Sequence, residues 1–256
     1  MTRTWKPVVV RGTAIGTGLP KVIVPLTGST VDELMAQAGA VVAAAPDVVE
    51  WRVDHLHGGA ASPPEAATAA ARLRRVLGDL PLLATSRTAA EGGLADVSDD
   101  AYVAVYRAIL ATGTADLLDV EVMRGAGCVR TLVDLAHEAG VAVVASNHDF
   151  DATPATDEIV RRLLLMAELG ADILKIAVMP HDPGDVLTLL TATWETTQLA
   201  DRPLITMSMA GTGVTSRVAG GVFGSAATFG MVGRASAPGQ VEVGALRAAL
   251  AVVHGG

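Results

Sequence analysis

Aromatic side chains make up only 3% of this 256-residue chain, so rings cannot fill its interior. That task falls to Val, Leu, Ile and Ala, which suit parallel strands covered on both faces. Cysteine occurs once, at Cys128, which excludes an internal disulfide. A basic surplus is also missing. The 19 Lys and Arg stand against 27 Asp and Glu, a net charge of −8 that argues against general nucleic-acid affinity. A small anionic substrate remains compatible, because a few local arginines can bind one carboxylate whatever the overall sign. Although mean hydropathy is positive, no apolar run reaches the roughly 18 residues that a spanning helix needs. Residues 1–7 show neither the apolar stretch nor the cleavage site of a secretory signal. The expectation is a chain without a membrane span, located in the cytoplasm.

What is present is ample apolar material, 50% of residues, in a length that fits one barrel of about 250 residues. Short β-branched runs recur at 22–26, 48–53, 80–85, 117–122, 141–146, 173–178, 203–207 and, more weakly, 226–231. Stretches with helical spacing lie between them, at 31–45, 64–77, 99–111, 128–139, 156–169 and 183–197, and 241–253 closes the chain. Strand-then-helix alternation predicts βαβ units and a parallel sheet. Eight such units predict an α/β fold, a (β/α)8 TIM barrel in a single domain over 1–256. The rival is an open doubly wound sheet, which would want a phosphate loop opening a helix. Gly12-Thr-Ala-Ile-Gly16-Thr-Gly18 is instead followed by Pro20 and a strand, so the dinucleotide reading fails its context test. Segment 8–20 reads better as a small N-terminal hairpin capping the barrel floor.

Charged and hydroxyl residues cluster where the predicted strands end, the rim on which barrels build active sites. Glu50, Arg52 and Asp54 alternate onto one side of strand two. Such a charged stripe is either a structural ion-pair cluster or a binding surface. Arg87 and Glu91 follow strand three, Asp119 and Glu121 end strand four, and His148 follows strand five. A rim histidine is either a hydrogen-bonded packing residue or a general base. Lys175 sits within Asp172-Ile-Leu-Lys175-Ile-Ala-Val-Met-Pro. An amine withdrawn from water there could attack a ketone; alternatively, its stem could carry it to the rim to pair with a carboxylate. Arg217 is suited to clamping a carboxylate, or is simply a solvated helix residue. The stretch 236–240, with Pro and Gly, reads as a loop able to close over a ligand. His55 and His57 near Asp54 imply no third metal ligand, and no Walker, flavin or nucleophilic-serine motif appears.

Taken together, these segments resemble the type I 3-dehydroquinate dehydratases. The matching elements are Glu50-Trp-Arg-Val-Asp54-His, Arg87-Thr-Ala-Ala-Glu91-Gly-Gly, Asp119-Val-Glu121, Ser146-Asn-His148-Asp-Phe, the Lys175 strand, Met207-Ser-Met209, Ser216-Arg217, Phe223-Gly-Ser-Ala-Ala-Thr-Phe229-Gly and Ala235-Ser-Ala-Pro-Gly-Gln240, in order from about residue 22 to 240. The resemblance implies a homodimeric barrel without metal or organic cofactor. It implies dehydration of 3-dehydroquinate to 3-dehydroshikimate, a step of the shikimate pathway of aromatic amino acid biosynthesis that also occurs in quinate breakdown. By this likeness Lys175 forms an imine with the substrate ketone, His148 is the general acid/base and Glu91 orients His148. Glu50, Arg52 and Arg87 contact substrate hydroxyls, Arg217, Ser236 and Gln240 hold the carboxylate end, and Met209 and Phe229 pack against the substrate and imine region.

Two departures accompany the resemblance. Asn147 stands where an aromatic residue often precedes the catalytic histidine, and Met209-Ala210-Gly211-Thr-Gly replaces a commoner glycine-then-basic sequence. Neither is expected to touch a residue with a catalytic role. The rival functions are a class I aldolase-type barrel, which shares the imine lysine but often needs a phosphate site, and a silent barrel that only binds a metabolite. A phosphate loop is not evident, and Lys175 and His148 are both present.

Overall fold

Successive side chains of a strand point to opposite faces, so each predicted strand should divide its residues between barrel interior and helix layer. The computed structural model, which describes residues 5–233 and 235–255, shows that division throughout. Residues 1–4, 234 and 256, which belong to the leader reading and to the expected 1–256 domain span, lie outside the described residues.

A hairpin comes first, β1 (Val8–Val10) paired antiparallel with β2 (Thr13–Ile15). Eight parallel strands follow: β3 (Lys21–Leu26), β4 (Val48–Arg52), β5 (Leu82–Thr85), β6 (Leu117–Glu121), β7 (Ala142–Asp149), β8 (Ile173–Val178), β9 (Leu204–Ser208) and β10 (Ala227–Met231). The two-residue β11 (Val241–Glu242) adds to the end of β10, a strand the sequence reading did not separate from the last helix. The seam between β9 and β10 is closed by a bridge, with Ala226 N–H donating to the Leu204 carbonyl at 2.6 Å. The helices are α1 (Val31–Ala43), α2 (Pro63–Leu77), α3 (Asp99–Leu110), α4 (Ala126–Glu138), α5 (Thr156–Glu168), α6 (Pro183–Leu199), α7 (Val214–Ala219) and α8 (Val243–His254). This is the TIM-barrel architecture expected from the alternation.

Local signals set the helix starts. Thr30 accepts from Glu33 N–H before α1, Ser62 and Glu65 form a reciprocal capping box before α2, and Ser98 accepts from Ala101 N–H before α3. The unexpected element is α7, only six residues long, too short to show a helical period. Strand β7 also runs to Asp149 rather than ending at 146, because its ladder to β8 continues through His148↔Ala177 and Asp149↔Val178.

The outward residues of the strands, such as Val24, Trp51, Ala84, Val120, Val143 and Ile176, join the helices in one large apolar cluster. The inward residues form layers. Ile23, Val48, Leu83, Leu117, Val144, Ile173, Ile205 and Ala227 supply one apolar side chain from each barrel strand, and Ile15 of the hairpin packs beneath them with Trp5, Val8 and Val10 at its edge. The expected cap of the floor is there. Two residues further along the same strands, the inward set becomes Glu50, Thr85, Asp119, Ser146, Lys175, Met207 and Phe229. The interior thus turns from aliphatic to polar within one layer, towards the C-terminal rim.

Candidate active site

The cavity above the aliphatic floor encloses about 180 Å³. Its wall contains every residue to which the resemblance gave a role: Glu50, Arg52, Arg87, Glu91, His148, Lys175, Met209, Arg217, Phe229, Ser236 and Gln240. Met207, Ala177, Phe150, Gly92, Ala237 and Pro238 complete it.

Lys175 is 3% exposed, midway along β8. Its stem does not snorkel to the rim, yet the amine is paired: Nζ donates to Asp119 Oδ2 at 2.8 Å and lies 3.6 Å from Glu50 Oε1. Glu50 in turn accepts from Thr85 Oγ1 at 2.9 Å. On the other side Nζ lies 4.8 Å from the centre of the Phe229 ring, within range for a cation–π contact. Both readings of Lys175 are thus partly met, a desolvated amine and an ion pair.

Arg87 is the hub of the β5–β7 wall. Nη2 donates to Asp119 at 2.5 Å, while Nη1 donates to Glu121 at 3.0 Å and Ser146 Oγ at 2.9 Å and lies 3.5 Å from Glu91. Burial alone would weaken its hold on the proton, but Asp119, Glu121 and Glu91 outweigh it and hold the guanidinium firmly charged. Burial likewise pushes Asp119 upward, and Arg87 and Lys175 overturn this to hold its carboxyl far below the ordinary range. Two buried tyrosines brace these strand ends. Tyr106 OH accepts from Ser86 N–H at 2.8 Å and donates to the Asp119 carbonyl, and Tyr102 OH accepts from Glu121 N–H. Arg52 forms a two-pronged pair with Asp54 at 2.8 and 2.7 Å, and Asp54 also accepts from the backbone N–H groups of Arg87 and Leu94. The charged stripe of strand two is therefore a structural ion pair that still lines the cavity.

Glu91 lies in a short 3-10 turn (Ala89–Glu91) stopped by Gly92 at φ 77°. The φ of 77° is one that L side chains rarely adopt, and a Cβ on Gly92 would also meet the Phe150 ring, so the position favours glycine. Glu91 Oε2 accepts the His148 backbone N–H and faces His148 Nδ1, both at 2.9 Å, which leaves Nε2 for the cavity. Burial raises the Glu91 carboxyl to about 7, with Glu121 adding to the rise against the pull of Arg87. Burial, then the nearby Arg87 and Lys175 charges, keep the His148 imidazole well below its usual range. His148 is accordingly neutral at pH 7, the form that can accept a proton.

Across the cavity the electrostatics reverse. Arg217 on α7 is 2% exposed, and no carboxylate is paired with it among the described residues. Nη2 donates to the Pro238 carbonyl at 3.0 Å, Nη1 reaches Met207 Sδ at 3.8 Å, and Nε has no partner. Burial alone lowers this guanidinium to about 10. The adjoining strap closes on itself, with Gln240 Oε1 accepting from Ser236 N–H at 2.8 Å and Nε2 donating to Ser236 Oγ at 3.0 Å.

Sequence reasoning assigned no role to Asp119, Ser146, Met207 or Tyr106. Asp119, Ser146 and Met207 carried a signal, lying on the same inward alternation as Lys175. One expectation is corrected: Asn147 does touch the site, donating from Nδ2 to Glu91 Oε1 at 3.1 Å, because β7 extends far enough to bring it alongside the Glu91 turn. His55 and His57 face Asp54 (4.0 Å) and Glu65 (3.8 Å), and among the described residues no three His, Cys, Asp or Glu side chains are grouped to hold a metal ion.

Comparison with known proteins places the chain in a family. The family model described as type I 3-dehydroquinase matches residues 22–256. A 3-dehydroquinate dehydratase of Salmonella agona is 50% identical over 250 residues, 97% of this chain and 99% of that one. Among solved structures, the type I 3-dehydroquinate dehydratase of Clostridium difficile, with covalent modified comenic acid, is 43% identical at a TM-score of 0.94, covering 98% and 99% of the two chains. The 3-dehydroquinate dehydratase of Geobacillus kaustophilus is 34% identical at 0.95, covering 99% and 98%. The chain belongs to the type I 3-dehydroquinase family.

Proposed function

We propose that the chain removes water from 3-dehydroquinate through an imine on Lys175, with His148 as the general acid/base. Membership of the family carries the reaction, which yields 3-dehydroshikimate for the shikimate pathway of aromatic amino acid biosynthesis. The observation that carries the mechanism is the juxtaposition of a buried amine, a neutral imidazole and an unpaired guanidinium around one small cavity.

In this reading the Lys175 amine adds to the ketone carbon, and the carbinolamine loses water to leave a protonated imine. The imine draws electrons from the neighbouring carbon–hydrogen bond and makes it acidic. His148 Nε2 takes that proton, the carbon–oxygen bond beyond it breaks, and the departing hydroxyl leaves as water with the proton from His148. Water then hydrolyses the imine and frees Lys175. Asp119 and Glu50, beside Nζ, hold the amine in place. Glu91 holds Nδ1 and so directs Nε2 to the reacting carbon. Arg217 takes the substrate carboxylate by charge-assisted hydrogen bonds, with Ser236 and Gln240 turning from each other to the ligand. Arg52 and Glu50 face the hydroxyls, Met209 and Phe229 pack on the ring and imine, and Arg87 keeps the acidic wall in register. An aldolase would share Lys175, but the Arg217 guanidinium, with no carboxylate beside it among the described residues, and the adjoining Ser236 and Gln240 fit a carboxylate better than a phosphate. The covalent modification in the Clostridium difficile relative accords with a nucleophile in such a pocket.

Borohydride reduction with 3-dehydroquinate tests the reading. We expect one stable adduct on Lys175 by peptide mass spectrometry, no adduct in Lys175→Met, and an adduct without turnover in His148→Ala. An unmodified Lys175 under turnover conditions would overturn it.

A further inference from the structure

Asn147 makes two hydrogen bonds, and their chemistry fixes which way its amide points. Arg162 of α5 donates from Nη1 to Asn147 Oδ1 at 2.9 Å. A guanidinium has donors only, so the amide must turn its oxygen to Arg162 and its NH2 to Glu91, where Nδ2 lies 3.1 Å from Oε1. Arg162 is itself anchored, with Nε on Glu158 at 2.7 Å and Nη1 3.4 Å from Asp149. A chain of four side chains thus runs from the outer helix to the imidazole: Glu158, Arg162, Asn147, Glu91. It ends on a donor aimed at one carboxylate oxygen, while His148 occupies the other.

We propose that Asn147 is a positioning residue whose amide, oriented by Arg162, holds Glu91 as the carboxylate and thereby keeps the proton of His148 on Nδ1 and the lone pair on Nε2. The inference rests on the function proposed above and adds a regulator of its base. A protonated Glu91 would instead offer its own proton to Nδ1 and drive the imidazole proton to the wrong nitrogen. The groups facing Glu91 are Arg87 at the end of β5, Asp119 and Glu121 on β6, and His148 on β7. Asp119 and Glu121 oppose its ionisation and Arg87 favours it. Asn147 adds to the favourable side without adding charge, and an apolar or ring side chain at 147 could not do so through an amide.

The test is the pH profile of kcat/KM for the wild type, Asn147→Leu, Arg162→Met and the double variant, with borohydride trapping on each. Loss of a hydrogen bond to a charged group raises the pH at which that group ionises. The acid limb of Asn147→Leu should therefore move up by about one pH unit. Its deficit would be on the order of tenfold at pH 6.5 and would narrow by pH 9. Arg162→Met should move the limb the same way by less, and the double variant should match Asn147→Leu, because both act through one amide. An unmoved acid limb in folded Asn147→Leu overturns the proposal. So does a double variant whose limb moves by the sum of the two. If Asn147→Leu fails to fold, Arg162→Met decides alone, and an unmoved limb there overturns the proposal. Trapping separates the two levels: a Lys175 adduct with an unmoved limb defeats only the role of Asn147, whereas no adduct in the wild type defeats the imine reading.

Discussion

The two walls of the cavity contain the same kind of residue in opposite states. On the β4–β7 side, Arg52 and Arg87 are buried with carboxylates already in contact. On the β9–β10 side, Arg217 is equally buried, and its company is a backbone carbonyl and a thioether. Desolvating a charge costs several kcal/mol unless a partner offsets it. The first wall carries its own offset and is complete without ligand. The second carries no such offset among the described residues. Identical side chains therefore stand in different states; in the proposed function one arginine holds the acidic wall together and the other receives the substrate carboxylate.

Removing each arginine should break the symmetry between them. Arg87→Met leaves Asp119, Glu121 and Glu91 crowded without a cation, and breaking a buried ion network typically costs 3–5 kcal/mol. We expect about that loss in urea denaturation, together with loss of turnover. Arg217→Met strands no carboxylate, so stability should stay within about 1 kcal/mol of wild type or rise. Its kcat/KM should fall roughly 10²–10³-fold, the order expected for losing a buried charge-assisted contact to the ligand. If both variants lost stability equally, the contrast between the walls would be wrong.

Glu91 sharpens the comparison on the first wall, because burial opposes its ionisation. Its carboxyl rises from 4.5 to about 7 on folding. Folding therefore favours the protonated form, and that contribution is fully present below pH 4.5 and lost as pH climbs through 7. Glu91→Gln cannot ionise, so it should gain roughly 1–3 kcal/mol over wild type at pH 8 and little at pH 4.5. The gain would come with slower turnover, since a neutral amide holds imidazolium less well. Thermal or urea unfolding at both pH values reads the difference.

Much of this was legible in the sequence, for an identifiable reason. The strand period of two sends Glu50, Asp119, Ser146 and Lys175 to the same side as the aliphatic floor, so polar letters at inward positions mark the site before any contact is known. The period says nothing about who meets whom around the circle. The Lys175–Asp119 bond joins β8 to β6 across β7, a distance set by barrel curvature and side-chain reach. Asn147 was misjudged because Ser146-Asn-His148-Asp149 is polar and reads as loop, whereas the ladder to β8 holds it as strand. Helix α7 escaped because six residues carry no periodicity, although the arginine it presents was visible.

The hairpin beneath the barrel has a consequence for traffic. With Ile15 seated under the aliphatic ring, the chamber is a blind well whose mouth lies at the rim. Under the proposed mechanism, substrate, product, the water expelled in the elimination and the water that hydrolyses the imine would all pass that mouth. A stopper packed beneath the aliphatic layer, on the far side from Lys175, thus leaves the rim as the route in and out of the chamber.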